Sequence, residues 1–287
     1  MDELVKSVTD YIPQLVTIAD KMKYVFLVYA GGLLIEYFIP AQRGQSSENI
    51  RFNMVYTVVF IVMNTLLFGL FIQFKQPVVD FFGGPYFELS FSGTWWGQLL
   101  HVLAFLFVFD FFYYWFHRWQ HTIKPLWAQH ALHHSDEALN ITTGNRHHWL
   151  EDSLRIFVIL IPMDILFSFS FETVGLIWAT FLLWGYFIHL NIRLNLGWLT
   201  PVFGGPQLHR IHHSNQEPHL DKNFAAFFPV FDVLFGTFYW PKKDEYPTTG
   251  LYGGFNMNNM KTANFYPFQY WFGRIKQRLT GGKHPQQ

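Results

Sequence analysis

Three short runs of histidine constrain this chain more than any other feature. HRWQH places His117 and His121 four residues apart. HALHH places His130, His133 and His134 at i, i+3 and i+4, and HRIHH repeats that spacing at His209, His212 and His213. Residues three and four apart share a face of a helix. Each run is therefore expected to be helical and to turn its imidazoles one way. Eight imidazoles in three such sets form a metal-binding constellation. They exceed what one tetrahedral or octahedral ion needs, so two metals are the economical count. The sequence contains no cysteine, which excludes disulfides, iron–sulfur clusters and thiolate-ligated zinc or haem. Imidazole by itself does not choose among zinc, copper, iron and nickel.

Composition says where such a site would sit. Only 14% of the 287 residues are charged, while 51% are apolar, with 34 Phe and 11 Trp. A soluble domain carries roughly 25% charge, so the deficit points to lipid. The net charge is zero, which gives no reason to expect a nucleic-acid partner. The start, MDELVKSVTD, is acidic and polar, unlike a cleavable signal. No glycine fingerprint for a nucleotide and no solenoid repeat is present.

Taken in order, residues 1–23 are mildly amphipathic and expected to form a surface helix. Residues 24–40 form a short first span containing Glu36. Residues 52–74 carry no charge between Arg51 and Lys75, enough to cross a hydrocarbon core of ~30 Å. Residues 75–96 read as a Gly/Pro-rich loop with interfacial Tyr86, Trp95 and Trp96. Residues 97–121 cross the membrane and continue into HRWQH. Pro125 suits the first turn of the next helix. The apolar runs 156–171 and 173–192 make a hairpin that dips into the bilayer, starting near His148 and delivering His189 to the same side. Phe268, Trp271, Phe272, Ile275 and Leu279 mark an amphipathic interfacial helix.

The expected architecture is thus an all-α integral membrane protein with about four transmembrane helices and a cytoplasmic-face helical cap bearing the histidines. Its parts are N-terminal membrane helices and loop (1–94), a histidine-bearing domain (95–245) and an interfacial tail (246–287). If the spans alternate, every Lys and Arg except Lys6, Lys21, Lys23 and Lys75 lies on the histidine side. The positive-inside rule makes that side cytoplasmic, in a bacterial inner membrane or the endoplasmic reticulum. His148 and His189 extend the expected ligand set to ten. His147 and His219 are placed either beside the metals or on the surface, and His101 and His284 are read as structural. Asp110, two turns before His117, and Asn191 are expected to orient ligands. Two other readings stay open here: a non-enzymatic metal-binding or transport protein, and a bis-His haem electron carrier. The second needs facing histidine pairs rather than i, i+3, i+4 sets.

The segments DFFYYWFHRWQH (110–121), WAQHALHHS (127–135), NITTGNRHHWLE (140–151), FIHLN (187–191), HRIHHSN (209–215) and DVLFGTF (232–238) resemble, in order, those of the fatty acid hydroxylase/sterol desaturase superfamily. The likeness covers roughly residues 95–245. It implies a membrane enzyme with a non-haem di-iron centre that uses O2 on a lipid, hydroxylating or desaturating an unactivated C–H bond. Zinc could replace iron in purified protein. The family's RxHPxE pattern falls on Arg146, His148 and Glu151, with Trp149 replacing its proline, so Arg146 and Glu151 join Asp110 and Asn191 as ligand-orienting candidates. The metal does the difficult step, so no separate catalytic side chain is expected. No haem-binding or flavin-binding segment is evident, which implies a separate electron donor: a cytochrome, a ferredoxin or a reductase. DKNFA (221–225) resembles the alkylglycerol monooxygenase branch, which implies a pterin reductant. Fatty-acyl, sterol and ether-lipid substrates all fit the resemblance.

Overall fold

The computed structural model describes residues 2–89, 93–168 and 171–280. Of the sequence-based expectations, His284 lies outside them. The chain is built from helices: α1 (Asp2–Phe38), α2 (Ser47–Ile72), α3 (Lys75–Phe81), α4 (Trp95–Thr122), α5 (Lys124–His134), α6 (Glu151–Arg155), α7 (Ile161–Leu166), α8 (Phe171–Ile188), α9 (Pro206–His212), α10 (Val230–Leu234) and α11 (Met260–Thr280). Two two-residue strands, β1 (Phe87–Glu88) and β2 (Phe167–Ser168), pair in parallel with Phe87 opposite Phe167. They are a small exception to the all-helical expectation.

Local chemistry sets many of the boundaries. Ser46 accepts the amide of Asn49 at the start of α2, and Thr94 accepts that of Gly97 at the start of α4. Each satisfies a donor that the first helical turn leaves free. Pro125 and Pro206 open α5 and α9, where a missing N–H costs nothing. The surface helix 1–23 and the span 24–40 turn out to be one helix, since the sequence places no breaker between Lys23 and Tyr24. The expected loop at 75–96 contains α3. Residues 224–241 hold only the five-residue α10, as their Pro229 and Gly236 suggest.

Among the described residues, two helical stretches are long and apolar enough to cross a membrane, Ser47–Phe81 and Trp95–Thr122. The end of α8, Ala179–Ile188, is apolar but shorter. The first arm of the hairpin is divided into α6, a π-helical turn (Ile156–Leu160) and α7. The second half of α1 packs against the histidine-bearing region rather than standing apart in lipid. There Glu36 accepts the amides of Ile141 and Asn191 at 2.8 and 2.9 Å, and Tyr29 donates to the carbonyl of Thr142.

Two apolar clusters hold the site between them. Tyr29, Tyr56, Phe60, Leu132, Ile141 and Tyr186 join α1, α2, α5 and α8. Phe105, Phe109, Phe116, Ile159, Met163 and Phe227 join α4, the π turn and α7 to the 224–228 loop. The C-terminal helix is more than an interfacial tail. Trp271 Nε1 donates to the Pro125 carbonyl at 2.9 Å, and Trp149 Nε1 donates to Asn264 at 3.0 Å. Phe272, Ile275 and Leu279 stay exposed, so the apolar stripe remains available to a membrane surface.

Candidate metal centre

The connection between α4 and α5 is a single turn, so the histidine-bearing ends of the two helices lie side by side. α9 brings the third run against them. The imidazoles then divide into two buried sets. His117, His121, His130, His134 and His212 form one; His133, His189, His209 and His213 form the other. Helical geometry explains the division. At ~100° per residue, positions i and i+4 differ by about 40°, whereas i+3 and i+4 differ by about 100°. His130 and His134 therefore reach the first set while His133 reaches the second. In the last run His209 and His213 reach the second set and His212 the first. His117 and His121 both serve the first set, whereas the HALHH and HRIHH runs each serve two sites rather than one.

The ring nitrogens converge at ligand spacing. His117 Nε2 lies 3.1 Å from His130 Nε2, and His121 Nε2 lies 3.1 Å from His134 Nε2. In the second set the Nε2–Nε2 distances are 3.2 Å for His133–His189, 3.0 Å for His189–His209 and 3.1 Å for His209–His213. With metal–nitrogen bonds of ~2.1 Å, ligands at right angles sit about 3.0 Å apart and tetrahedral ones about 3.4 Å. His212 Nε2 is buried without a hydrogen-bond partner, a cost that a bound cation would remove. Burial, reinforced by neighbouring imidazoles, pushes His133, His134, His209, His212 and His213 well below the ordinary histidine range. Burial also lowers His130, against the pull of Glu151. The neutral imidazole is the coordinating form. Nine nitrogen donors in two sets thus fit two divalent ions.

The opposite ring nitrogens are anchored, which fixes the tautomer and aims Nε2 inward. His117 Nδ1 donates to the Phe224 carbonyl at 2.7 Å, His212 Nδ1 to that of Lys222 at 2.8 Å, and His189 Nδ1 to that of Gly185 at 2.5 Å. His121 Nδ1 faces Asp221 and His130 Nδ1 faces Glu151, each at 3.3 Å. DKNFA thus supplies three anchors to the first set. Its backbone is shaped for this by left-handed Asp221 and Asn223, at φ 56° and 60°, a conformation that Asp and Asn tolerate better than most residues. Spacing arguments could not find these anchors, because two of the three are main-chain carbonyls.

The other sequence-predicted residues fall as follows. Glu151 accepts at both oxygens, from His130 on one side and from Arg155 at 2.8 Å on the other, where His147 Nδ1 also lies 3.1 Å away. Burial opposes its ionisation, but His147 and His130 hold its carboxyl well below the usual range. Arg146 caps the end of α5, donating to the Leu132 carbonyl at 3.0 Å, Ser135 at 2.6 Å and Asn53 at 2.9 Å. Asn191 accepts from the Gln42 amide at 2.9 Å and from Arg210 at 3.1 Å, tying the segment after His189 to the helix of His209. Asp110 does not touch His117. Its carboxylate accepts the amides of Ala226, Phe227 and Phe228 at 2.9, 3.1 and 2.7 Å, and so holds the loop whose Phe224 carbonyl anchors His117.

His148 is not brought to either set. Its Nε2 faces the Asn264 carbonyl at 3.1 Å, and its ring packs on Trp149 and Phe268. The adjacent His147 lies at the site instead, stacked on His133 with ring centroids 3.9 Å apart. It forms a third group with His130 and Glu151. The two adjacent side chains point apart here, His147 toward His133 and His148 toward α11. His219 lies outside both sets, bonded to Ser214 at 2.8 Å and facing Glu245 at 3.3 Å. His101 is buried on α4, well before the histidine end.

A cavity of about 1340 Å³ opens onto this centre. His147 and His189 are among its lining residues, and its walls include Phe105, Phe109, Phe181, Trp184 and Phe227. Trp184 Nε1 donates to the Ala226 carbonyl at 2.9 Å, which fixes one wall to the loop that Asp110 holds. Apolar walls exclude water from the metal sites and suit an aliphatic ligand.

Comparison with known proteins agrees with this chemistry. Residues 102–237 match the fatty acid hydroxylase family model. The chain is 33% identical over 183 residues to alkylglycerol monooxygenase of Danio rerio, covering 62% of this chain and 38% of that protein. It is 30% identical over 160 residues to an ornithine lipid hydroxylase of Rhizobium tropici, covering 55% of this chain and 47% of that protein. It is 28% identical over 184 residues to a Delta(7)-sterol 5(6)-desaturase of Gibberella zeae, covering 58% and 49%. The match therefore spans less than half the length of each of these relatives. No solved structure matches the chain significantly. The matched region begins within α4 and ends just after α10, and so encloses every histidine of both sets: residues 102–237 carry a domain of the fatty acid hydroxylase family.

Proposed function

We propose that this protein is a membrane-embedded non-haem di-iron oxygenase that hydroxylates or desaturates a C–H bond of a lipid, using O2 and electrons from a separate donor. The observation that carries this reading is two sets of converging imidazoles beside a large apolar cavity whose lining includes His189. His117, His121, His130, His134 and His212 would hold one iron, and His133, His189, His209 and His213 the other. Bound iron supplies the O2 chemistry that no side chain can perform. The protein's own residues keep the imidazoles neutral and aimed, through Glu151, Asp221 and the carbonyls of Gly185, Lys222 and Phe224. They also keep the cavity beside the metals dry, through the aromatic walls. The distribution of Lys and Arg supports a cytoplasmic placing of the histidine side, within about four membrane passages. The alkylglycerol monooxygenase relatives make an ether or glycerolipid the first substrate to try, with a pterin, cytochrome, ferredoxin or reductase as donor.

Metal analysis and lipidomics test the reading together. The expected result is about two irons per chain and a cellular lipid that gains one oxygen or loses two hydrogens when the gene is present. The change should vanish in His133→Ala. Stoichiometric zinc, with no activity recovered on iron loading, would count against it. A Soret band would instead support a haem carrier.

A further inference from the structure

The walls of the cavity are mostly apolar, but polar groups that the metal chemistry does not use interrupt them; Lys75 among these is paired with Asp164, whereas Lys21 is not paired with a carboxylate among the described residues. Lys21 on α1 and Thr65 on α2 both line the cavity, and Lys21 Nζ donates to Thr65 Oγ1 at 3.1 Å. Neighbouring Asp152 is engaged elsewhere, by Asn64 and by Arg155 at 2.9 Å. Among the described residues no carboxylate lies within ion-pair distance of Lys21. An ammonium carries three donors, and the bond to Thr65 accounts for one. Lys21 is exposed, so its remaining donors can meet a polar group entering the cavity from outside. The location is also an entrance. Tyr24 and Leu27, one and two turns along α1 from Lys21, line the cavity yet are each 61% exposed. Leu182 and Leu183 of α8 do the same, at 52% and 55%. A residue that both lines a cavity and faces outward marks its mouth, and α1 and α8 each contribute to this one.

We propose that Lys21 and Thr65 form a polar-group subsite at this entrance, binding an oxygen of an amphiphile whose aliphatic part occupies the cavity toward His147 and His189. The proposal rests on the lipid-oxygenase reading and adds where the substrate's polar group is held. The chemistry recognised is an acceptor oxygen, supplied by a carboxylate or by a neutral hydroxyl. With the polar group fixed at the mouth, the carbon presented to the metals is set by its distance along the chain, so the subsite determines regiochemistry as well as affinity.

The test is binding to the detergent-solubilised, metal-loaded protein under anaerobic conditions, read by native mass spectrometry with hexadecane, hexadecan-1-ol and palmitate as probes. The expected result is at least tenfold tighter binding of the oxygenated probes than of hexadecane. Lys21→Met should abolish that preference and leave hexadecane binding unchanged, Thr65→Val should reduce it, and Lys21→Arg should retain it. A larger preference for palmitate than for hexadecanol identifies an anionic group, and equal preference a neutral oxygen. Equal binding of all three probes by the wild type overturns the proposal, as does an undiminished preference in Lys21→Met. If Lys21→Met does not fold, the wild-type preference and Thr65→Val decide the matter. Because no turnover occurs, a chain that shows the preference but binds no iron refutes only the oxygenase reading. An active iron protein without the preference refutes only the subsite.

Discussion

Replacing Asp110 by Asn removes one oxygen from a carboxylate that serves three main-chain donors. One oxygen accepts the Ala226 amide, and the other accepts those of Phe227 and Phe228. The asparagine amide can restore one side only. Its NH2 then faces an N–H, so at least one buried donor is left unpaired. That costs ~1–3 kcal/mol, and the loss of a charged acceptor at the remaining bonds adds a comparable amount. A total of roughly 3 kcal/mol in a chain of this size corresponds to a fall in Tm of about 6–12 °C. The consequence at the metal is more specific. The loop also carries Phe224, whose carbonyl anchors His117 Nδ1, and loss of such a partner typically weakens a metal site 10–100-fold. Asp110→Asn should therefore lose metal from the five-histidine set first. Two measurements suffice: the thermal unfolding midpoint in detergent, and metal content after competition with a graded chelator. A variant with wild-type Tm and wild-type metal retention would refute the loop-anchor argument. So would a variant that loses metal equally from both sets.

The same reasoning gives three further outcomes. His212→Ala should deplete the five-histidine set and His213→Ala the four-histidine set, each leaving about one metal per chain by elemental analysis, since the two residues point into different sets. Loss of both metals in both variants would argue against separable sites. Glu151→Gln should loosen His130 and weaken metal retention by roughly 10–100-fold in chelator competition, with Asp152→Asn as a comparison that leaves His130 untouched. The metal-free protein should be acid-sensitive. Buried histidines with lowered pKa, His148 among them at about 4, bind fewer protons folded than unfolded, so their contribution is complete above the ordinary value of ~6.5. It is lost progressively as pH falls toward the folded values, and Glu151, held low, acts in the same direction. Unfolding midpoints between pH 7 and 4 should fall steadily; a flat profile would contradict the burial of these groups.

The histidine runs and the family segments could be read directly from the sequence, because helical periodicity and apolar run length are local properties. The hairpin was legible only in part: His189 marks its far end as expected, but its start was placed at His148, whereas His147 and Glu151 are the residues that reach the site. Which imidazole serves which metal set was not legible. That depends on the ~100° between adjacent helical positions combined with where α9 docks against α4 and α5. The choice of His147 over His148 belongs to the tertiary structure for the same kind of reason. Two adjacent histidines are equivalent as letters, and only the packing of α11, which takes His148 through Asn264 and Phe268, decides which turns inward. Asp110 shows the limit most clearly. Its position two turns before His117 suggested direct contact, yet its partners are amides more than a hundred residues away. Sequence determines which side chains can bind metal; long-range hydrogen bonding determines what holds them still.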